Sequence, residues 1–223
     1  MRSTGAVGRG GDPEDLTTRA RIRDAAVARF AREGFGASVR ALAADAGVSP
    51  GLVIHHFGSK EGLRLACDEY VLRVTREAKR ESIVTGGPGE MVAQLAAIEE
   101  YAPLAAYVVQ ALLAGGDLAA TLLEQAIADA ETYLAEGVEA GRLRPSRDPA
   151  ARARFLVYSG AGAFLLYVRQ HVQEDGDLTP VLAAYSTEMT VSALELYTEG
   201  LLADSSLLDA VVAHTAAAVR NPT

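Results

Sequence analysis

The 223-residue sequence contains one cysteine, Cys67, and no tryptophan. A single cysteine cannot form an internal disulfide or a cysteine-based metal site, and this fits a reducing, cytoplasmic environment. Aromatic residues make up 6% of the chain, whereas 49% of it is hydrophobic, so the core has to consist mainly of Ala, Leu and Val. We expect Cys67 to be a buried, inert thiol rather than a redox sensor, because no nearby group clearly lowers its pKa.

Long apolar runs are also missing. The segment Phe155–Val168 is uncharged over 14 residues, whereas a helix needs about 20 to span a bilayer. We therefore predict a helix that is buried in protein. Residues 1–14 are rich in glycine and have no apolar stretch, which predicts a disordered N-terminal tail rather than a signal peptide.

No segment shows the alternation of apolar and polar residues that is typical of a strand, so the predicted fold class is all-α. The sequence also lacks a Walker phosphate-binding loop, a Gly-x-Ser-x-Gly nucleophile turn and a zinc-binding His-Glu-x-x-His motif. The run Ser159–Gly162 indicates close helix packing rather than a nucleophile turn. We expect a protein that is not an enzyme and that has neither a cofactor nor a metal site.

Basic charge is concentrated in the first third of the chain, although the net charge is −8. Residues 1–80 contain 14 Lys and Arg against 10 Asp and Glu, and residues 81–223 contain 7 against 19. An acidic body is repelled by phosphate, so only the N-terminal part is suited to contact DNA. A surface that is acidic merely for solubility would explain the body but not this asymmetry.

Helix signals are dense near the N-terminus. A helical period begins at Leu16 or Thr17, and Gly34 ends that helix in the left-handed conformation. Serine N-caps then introduce three further helices, predicted at 39–46, 50–57 and 60–83.

Residues 38–57 have the pattern of a helix-turn-helix. Ala43 is small where the two helices would cross, Gly47 permits a tight turn, and Val48 supplies an apolar residue directly after it. An ordinary helical hairpin could show the same features, so this segment alone leaves both interpretations open.

A longer pattern extends over residues 18–63. Its pieces are Arg21-Ile22, Ala25-Ala26, Phe30-Ala31, Gly34-Phe35, Val39-Arg40, Leu42-Ala43, Ala46-Gly47-Val48-Ser49, Gly51, His56-Phe57, Ser59-Lys60-Glu61 and Leu63. This combination resembles the N-terminal domain of the TetR (tetracycline-repressor-like) family of bacterial transcriptional regulators. The resemblance covers about 45 residues and says nothing direct about the body.

The resemblance implies a set of DNA contacts at the start of the first helix and around the helix-turn-helix. His55 is the candidate for reading a base edge. His56 corresponds to a phosphate-binding position, although packing against Phe57 or the first helix is the alternative. Lys60 is expected to hold a phosphate with its backbone N–H and its ammonium group. The full set is Thr18, Ser38, Arg40, Ser49, Gly51, Leu52, Ile54, His55, His56 and Lys60.

Ile54 departs from the family pattern, which usually has tyrosine at this position. Isoleucine cannot donate the hydrogen bond that a tyrosine gives to the DNA backbone. We therefore expect Ile54 to make an apolar contact, for example to a thymine methyl group, or to pack only. The arginines of the first helix, including Arg23 and Arg29, are expected to be solvated.

The body is predicted to consist of helices near residues 90–100, 103–114, 117–140, 148–173, 178–202 and 205–219. The resemblance implies that its last two long helices form a four-helix bundle across a homodimer. Completion of a monomer core is the alternative. The residues assigned to the dimer interface are Tyr158, Gly162, Leu165, Leu182, Tyr185, Met189, Ala193 and Leu196.

The resemblance further implies that the body binds a small molecule. Six side chains supply rings and polar tips in a mostly aliphatic region, although for each of them a place in the core is the more common role. They are Tyr101, Tyr107, Gln110, Tyr133, Phe164 and Tyr167.

These expectations give three segments: a tail at 1–14, a helix-turn-helix head at 15–64 whose connecting helix runs on to about 83, and a ligand-binding and dimerisation body at 65–223. The resemblance implies a repressor that binds a near-palindromic operator as a homodimer and is released by a small-molecule effector. The alternative is a DNA-binding regulator without an effector, or one that is controlled by a protein partner.

Overall fold

The structure, a computed structural model, describes residues 13–174 and 176–220. These residues form ten α-helices and no strand, which confirms the predicted all-α class. The helices are α1 Pro13–Glu33, α2 Val39–Asp45, α3 Pro50–Phe57, α4 Lys60–Arg80, α5 Pro88–Ala96, α6 Ala102–Ala114, α7 Gly116–Glu139, α8 Pro149–His171, α9 Thr179–Thr198 and α10 Ser206–Arg220.

The first three helices begin and end close to where the sequence signals predict. Helix α1 begins at Pro13 and therefore includes the last two residues of the predicted tail. Proline fits the first turn of a helix, where its missing N–H costs nothing. The rest of the predicted tail, residues 1–12, lies outside the described residues. Gly34 ends α1 with a φ of 70° and donates its N–H to the carbonyl of Phe30.

The C-terminal end of α4 differs from the prediction of a helix that continues to residue 83. After Arg80 the chain forms a π-helical turn, Glu81–Thr85. The N–H of Gly86 closes this turn on the carbonyl of Glu81 at 2.6 Å. A Cβ atom on Gly86 would lie 2.7 Å from that carbonyl oxygen, so a residue without a side chain fits the wide turn.

Two packing regions hold the protomer together. α1 packs along α6, and α4 packs between α1 and α7. Further along, α7 and α8 enclose a core of Ala130, Leu134 and Ala153. Partly buried side chains surround this core: Ile83, Tyr133, Leu143, Leu156 and Val157.

Helix α8, which contains the uncharged segment Phe155–Val168, has one buried face and one exposed apolar face. Its inward face includes Ala153 and Val168, which are buried. Its outward face carries Phe155, Tyr158 and Leu166, whose exposed fractions lie between 53% and 67%. An apolar stripe of this kind on a folded helix indicates a surface that is covered by something else.

The chain divides into two compact units, with the boundary inside α9 between Ala183 and Ala184. The predicted division between head and body near residue 64 falls within the first unit and stays a prediction. The second unit contains the rest of α9 and α10. Among the described residues no helix combines the length and apolar character needed to cross a membrane.

A clamp between Arg29 and Asp45 fixes α1 against the end of α2. The guanidinium donates from Nε and, at 2.7 Å, from Nη2 to the two carboxylate oxygens, and from Nη1 to Glu33. Both side chains of the clamp are largely covered. The expectation that Arg29 is solvated is therefore wrong, because the fold brings the C-terminal end of α2 beside it.

We predict that Asp45→Asn lowers the melting temperature at neutral pH by about 2 °C. The hydrogen bonds from Arg29 hold the pKa of Asp45 below its ordinary value of 3.8. A carboxylate whose pKa is lowered by folding stabilises the protein above its unfolded pKa and loses this effect as the pH falls through the folded pKa. The difference between the two proteins should therefore shrink below about pH 4.

Thermal unfolding followed by circular dichroism between pH 2.5 and pH 7 measures this difference. The control is Asp24→Asn, which removes an exposed carboxylate that pairs only with its neighbour Arg23. A loss of stability that is the same for both variants, or that does not depend on pH, would show that the clamp contributes nothing of its own.

Candidate DNA-binding surface

The crossing of α2 and α3 has the geometry that its sequence predicts. Ala43 is fully buried where the helices meet, and Leu42 and Val53 fill the space beside it. Gly47 adopts a φ of 64°, which a side chain would disfavour. The N–H of Val48 then reaches back to the carbonyl of Ala43 at 2.9 Å. The chain thus turns sharply and holds α3 at a fixed angle to α2.

Beyond its first residue, Pro50, the exposed positions of α3 are Gly51, Ile54 and His55. Val53 is fully buried, and Leu52 is partly buried. Residues three and four apart share one side of a helix, so the three exposed positions form a continuous surface. The predicted base-reading residue, His55, therefore lies on the face of α3 that a groove of DNA can reach.

Serine side chains cap the helices around this surface. Ser38 accepts a hydrogen bond from the N–H of Ala41, and Ser49 accepts one from Leu52, each at 3.2 Å. Both hydroxyls remain exposed, so each still has donor capacity toward a phosphate. Arg40, in the first turn of α2, is exposed, whereas Thr18 on α1 is half-buried.

Besides the phosphate that the sequence predicts as its partner, Lys60 has a partner within the protein. Its ammonium group donates to the carbonyl oxygen of Phe35 at 2.7 Å. This bond connects the start of α4 to the turn between α1 and α2. Because Lys60 stands at the first position of α4, its backbone N–H has no acceptor within the helix and is available to an anion.

The two adjacent histidines contact each other edge to face, with ring centroids 5.5 Å apart. His56 is half-buried and its ring also lies 6.3 Å from that of Phe57. This contact matches the packing alternative for His56, and its phosphate role stays a prediction. No group of three potential metal ligands occurs within the described ranges.

Three residues that hold the surface in place were missed from the sequence. Arg19 lies over the ring of Phe57 at 4.9 Å, and Arg23 lies over Tyr70 at 3.7 Å; the expectation that Arg23 is solvated is therefore wrong. A Cβ atom on Gly62 would stand 2.0 Å from the carbonyl oxygen of Phe57. A glycine inside the first turn of a helix is the sequence signal that could have indicated this close approach.

Tyr107 and Gln110, two of the expected ligand contacts, lie at the junction of head and body. Tyr107 is fully buried, with its ring edge-on to that of Phe35 at 5.2 Å and 6.3 Å from Phe30. Gln110 donates to the carbonyl of Ala31 at 3.4 Å. Both residues of α6 therefore contact α1 or the turn that follows it.

The Tyr107 hydroxyl donates to Oδ1 of Asp68 on α4 at 2.5 Å. The other oxygen of Asp68 accepts from Arg64 at 2.7 Å, and Arg64 also bonds Glu61. Burial raises the pKa of Asp68 and, to a larger extent, that of Tyr107. The phenol therefore keeps its proton and serves as the donor.

Beside this group, burial raises the pKa of Cys67 to about 12, as expected for an inert thiol.

The other expected ligand contacts are spread over the body. Tyr133 packs against the α7–α8 core, and Tyr167, which is buried, stacks on His171 with ring centroids 4.0 Å apart. Tyr101 and Phe164 are half-buried. None of the six lines the cleft of about 130 Å³ between α4 and α7, which is bounded by Arg64, Leu65, Asp68, Asp117, Thr121, Leu122 and Gln125.

The residues assigned to the dimer interface differ in exposure. Tyr158, Met189 and Leu196 are exposed, and Leu182 is buried within the protomer. The half-buried members are Gly162, Leu165, Tyr185 and Ala193.

Comparison with known proteins identifies both parts of the chain. Residues 22–67 match the family model for bacterial regulatory proteins of the tetR family, and residues 99–203 match that for the tetracyclin repressor-like C-terminal domain. The HTH-type transcriptional regulatory protein RaaS of Mycobacterium tuberculosis is 52% identical over 199 residues, which cover 89% of this chain and 93% of that protein.

Solved structures agree with this assignment. One that describes the control of antibiotic production by bacterial hormones has a TM-score of 0.59 at 28% identity and covers 83% of this chain and 98% of its own. SmeT, the repressor of the Stenotrophomonas maltophilia multidrug efflux pump SmeDEF, has a TM-score of 0.52 at 23% identity, with 81% and 91% covered. At that identity SmeT supports the fold alone. The chain therefore belongs to the TetR family of bacterial transcriptional regulators, and the helix-turn-helix formed by α2 and α3 is its DNA-binding element.

Proposed function

We propose that this regulator is a homodimeric repressor that binds a near-palindromic operator through α3 of each protomer and is released by a small molecule bound to its body. The observation that carries the proposal is the exposed face of Gly51, Ile54 and His55, held at a fixed angle by the buried crossing at Ala43. His55 reads a base edge, while Arg40 and the first turn of α4 bind phosphates.

The charge distribution supports DNA contact through the heads, and an exposed apolar surface supports the dimer. Residues 81–223, with 19 Asp and Glu against 7 Lys and Arg, are repelled by DNA and leave the heads as the contact. The exposed apolar stripe of α8, formed by Phe155, Tyr158 and Leu166, suits the same stripe of a second copy in a two-fold arrangement. Such a dimer places two recognition helices about 34–36 Å apart, which is one turn of DNA.

The proposal of a small-molecule effector is supported by a solved relative. The relative at 28% identity is connected with bacterial hormones, which favours a small signalling molecule over a protein partner. Such a molecule lowers operator affinity if it binds better to a dimer whose heads are out of register with the DNA.

We predict that the protein prefers its operator, obtained by selection from genomic fragments, over scrambled DNA by about a thousandfold in fluorescence anisotropy. His55→Ala should erode this preference by about tenfold because a base contact is lost. Lys60→Ala should weaken binding to all DNA and reduce the slope of log K against log salt by about one for each head.

The matched control is Arg142→Ala, which removes an exposed cation from the loop after α7. It should leave affinity, preference and salt slope as in the wild type. The same loss of preference in Arg142→Ala as in His55→Ala would contradict the assigned roles. A genomic selection that returns no preferred fragment would contradict the repressor function.

We predict that Leu166→Glu converts the dimer to a monomer in sedimentation equilibrium and lowers operator affinity by at least about a hundredfold, because a charge cannot be buried at an apolar interface without a partner. The control is Val92→Glu on α5, since Val92 and Leu166 have the same exposed fraction of 66%. If Val92→Glu dissociates the dimer as well, or if neither variant does, α8 is not the interface.

We predict that a screen of small signalling molecules by thermal shift yields a compound that raises the melting temperature and weakens operator binding over the same range of concentrations. Full circular dichroism spectra distinguish release from unfolding. A compound that stabilises the protein without changing its operator affinity is not the effector. If no compound in the screen acts on DNA binding, the result favours the alternative of a regulator without an effector.

A further inference from the structure

Tyr107 connects the body to two separate parts of the head. Its ring, on α6, contacts Phe30 at the end of α1 and Phe35 in the turn that follows. Its hydroxyl bonds Asp68, which lies on α4 two turns after Lys60. One fully buried side chain therefore contacts both α1 with its following turn, which precedes α2, and α4, which follows α3.

These contacts close a ring of interactions. Lys60, at the first position of α4, donates to the carbonyl of Phe35, the ring of Phe35 meets that of Tyr107 at 5.2 Å, and Tyr107 returns to α4 through Asp68. Rotation of α4 about its axis would break the bond to Asp68 or the bond from Lys60. The orientation of α4, and hence of α3 beside it, is fixed at two points.

The hydroxyl is the directional part of this junction. The rings of Phe30, Phe35 and Tyr107 can slide on one another at small cost, because aromatic packing tolerates several geometries. A 2.5 Å hydrogen bond to a carboxylate does not tolerate such sliding. Gln110, three residues further along α6, adds only a 3.4 Å bond to α1.

We propose, on the basis of the dimeric repressor function above, that Tyr107 is a positioning residue. Its bond to Asp68, termed here the Tyr107–Asp68 latch, sets the orientation of each head relative to the body and so determines which spacing of operator half-sites the dimer accepts. Tyr107 contacts no DNA and leaves base preference unchanged.

The spacing of half-sites reports head orientation directly. Moving one half-site by one base pair displaces it by about 3.4 Å and rotates it by about 35° around the DNA axis. Anisotropy is measured on five operators whose half-sites have the selected spacing or are moved by one or two base pairs either way, and on a single half-site. The variant is Tyr107→Phe, which removes the hydroxyl and keeps the ring.

For Tyr107→Phe we expect affinity at the best spacing to fall about tenfold, a typical size for coupling between sites. Affinity for the single half-site should stay within about twofold of wild type, and discrimination between spacings should become weaker or its optimum should move. A residue that only stabilises the fold would lower the melting temperature without changing the shape of the spacing profile.

The matched control is Tyr133→Phe, the same chemical change in the half-buried tyrosine of the α7–α8 core. It should keep the spacing profile of the wild type. The double variant Tyr107→Phe with Asp68→Asn should cost less than the sum of the two single changes, because they break the same bond. Additive losses would overturn the latch, as would a wild-type profile in Tyr107→Phe.

Hydrogen exchange on the protein without DNA separates this proposal from the repressor function. In Tyr107→Phe, amides of residues 64–70 and of the turn at residues 34–36 should exchange about tenfold faster than in wild type or in Tyr133→Phe. Unchanged exchange overturns the latch whether or not an operator exists. Faster exchange in a protein that selects no operator supports the latch and rejects the repressor.

Discussion

A protein that reads two half-sites at once depends on the rigidity of the joint between each head and its body. In this chain we assign that joint to the packing of Phe30 and Phe35 on the fully buried ring of Tyr107, together with the bond from Tyr107 to Asp68. Aromatic side chains bury roughly 150–250 Å² each, and the rings of Phe30 on α1 and Tyr107 on α6 join these two helices directly. This contact, with the clamp between Arg29 and Asp45 and the bond from Lys60 to Phe35, holds the exposed face of α3 at a defined place.

Helix α4 is held differently at its two ends. Toward the C-terminus, Arg76 bonds Asp129 and Arg80 bonds Glu136, and in both pairs of α4 with α7 the arginine is exposed and the carboxylate is partly covered. Exposed ion pairs contribute roughly 0–1 kcal/mol each, so they guide the helix without fixing it. Toward the N-terminus, α4 is held by the part-buried bond between Asp68 and the fully buried Tyr107. The firmer attachment therefore lies toward the end of α4 that follows α3, and the π-helical turn at Glu81–Thr85 lies at the opposite end.

Local chemistry explains why the head was predictable. Ser38, Ser49 and Gly47 act on their own neighbours in the chain, and α2 and α3 begin where these residues predict. The partners of Arg29, Tyr107 and Lys60 lie 16, 39 and 25 residues away, and no local rule selects them. The π-helical turn was missed for a related reason, since the side chains of residues 81–85 do not distinguish it from a continuing α-helix.

Tyr107 illustrates the limit most clearly. Periodicity shows that a residue faces inward, but an inward ring can line a cavity or meet a neighbouring helix, and only the tertiary fold separates the two. The cleft beside its partner Asp68 measures about 130 Å³, whereas pockets for drug-sized ligands occupy roughly 300–1,000 Å³. A larger molecule that lodged fully between these helices would have to move α4 away from α7. Asp68 belongs to both the cleft wall and the joint. Such a movement would therefore act directly on the bond between Asp68 and Tyr107.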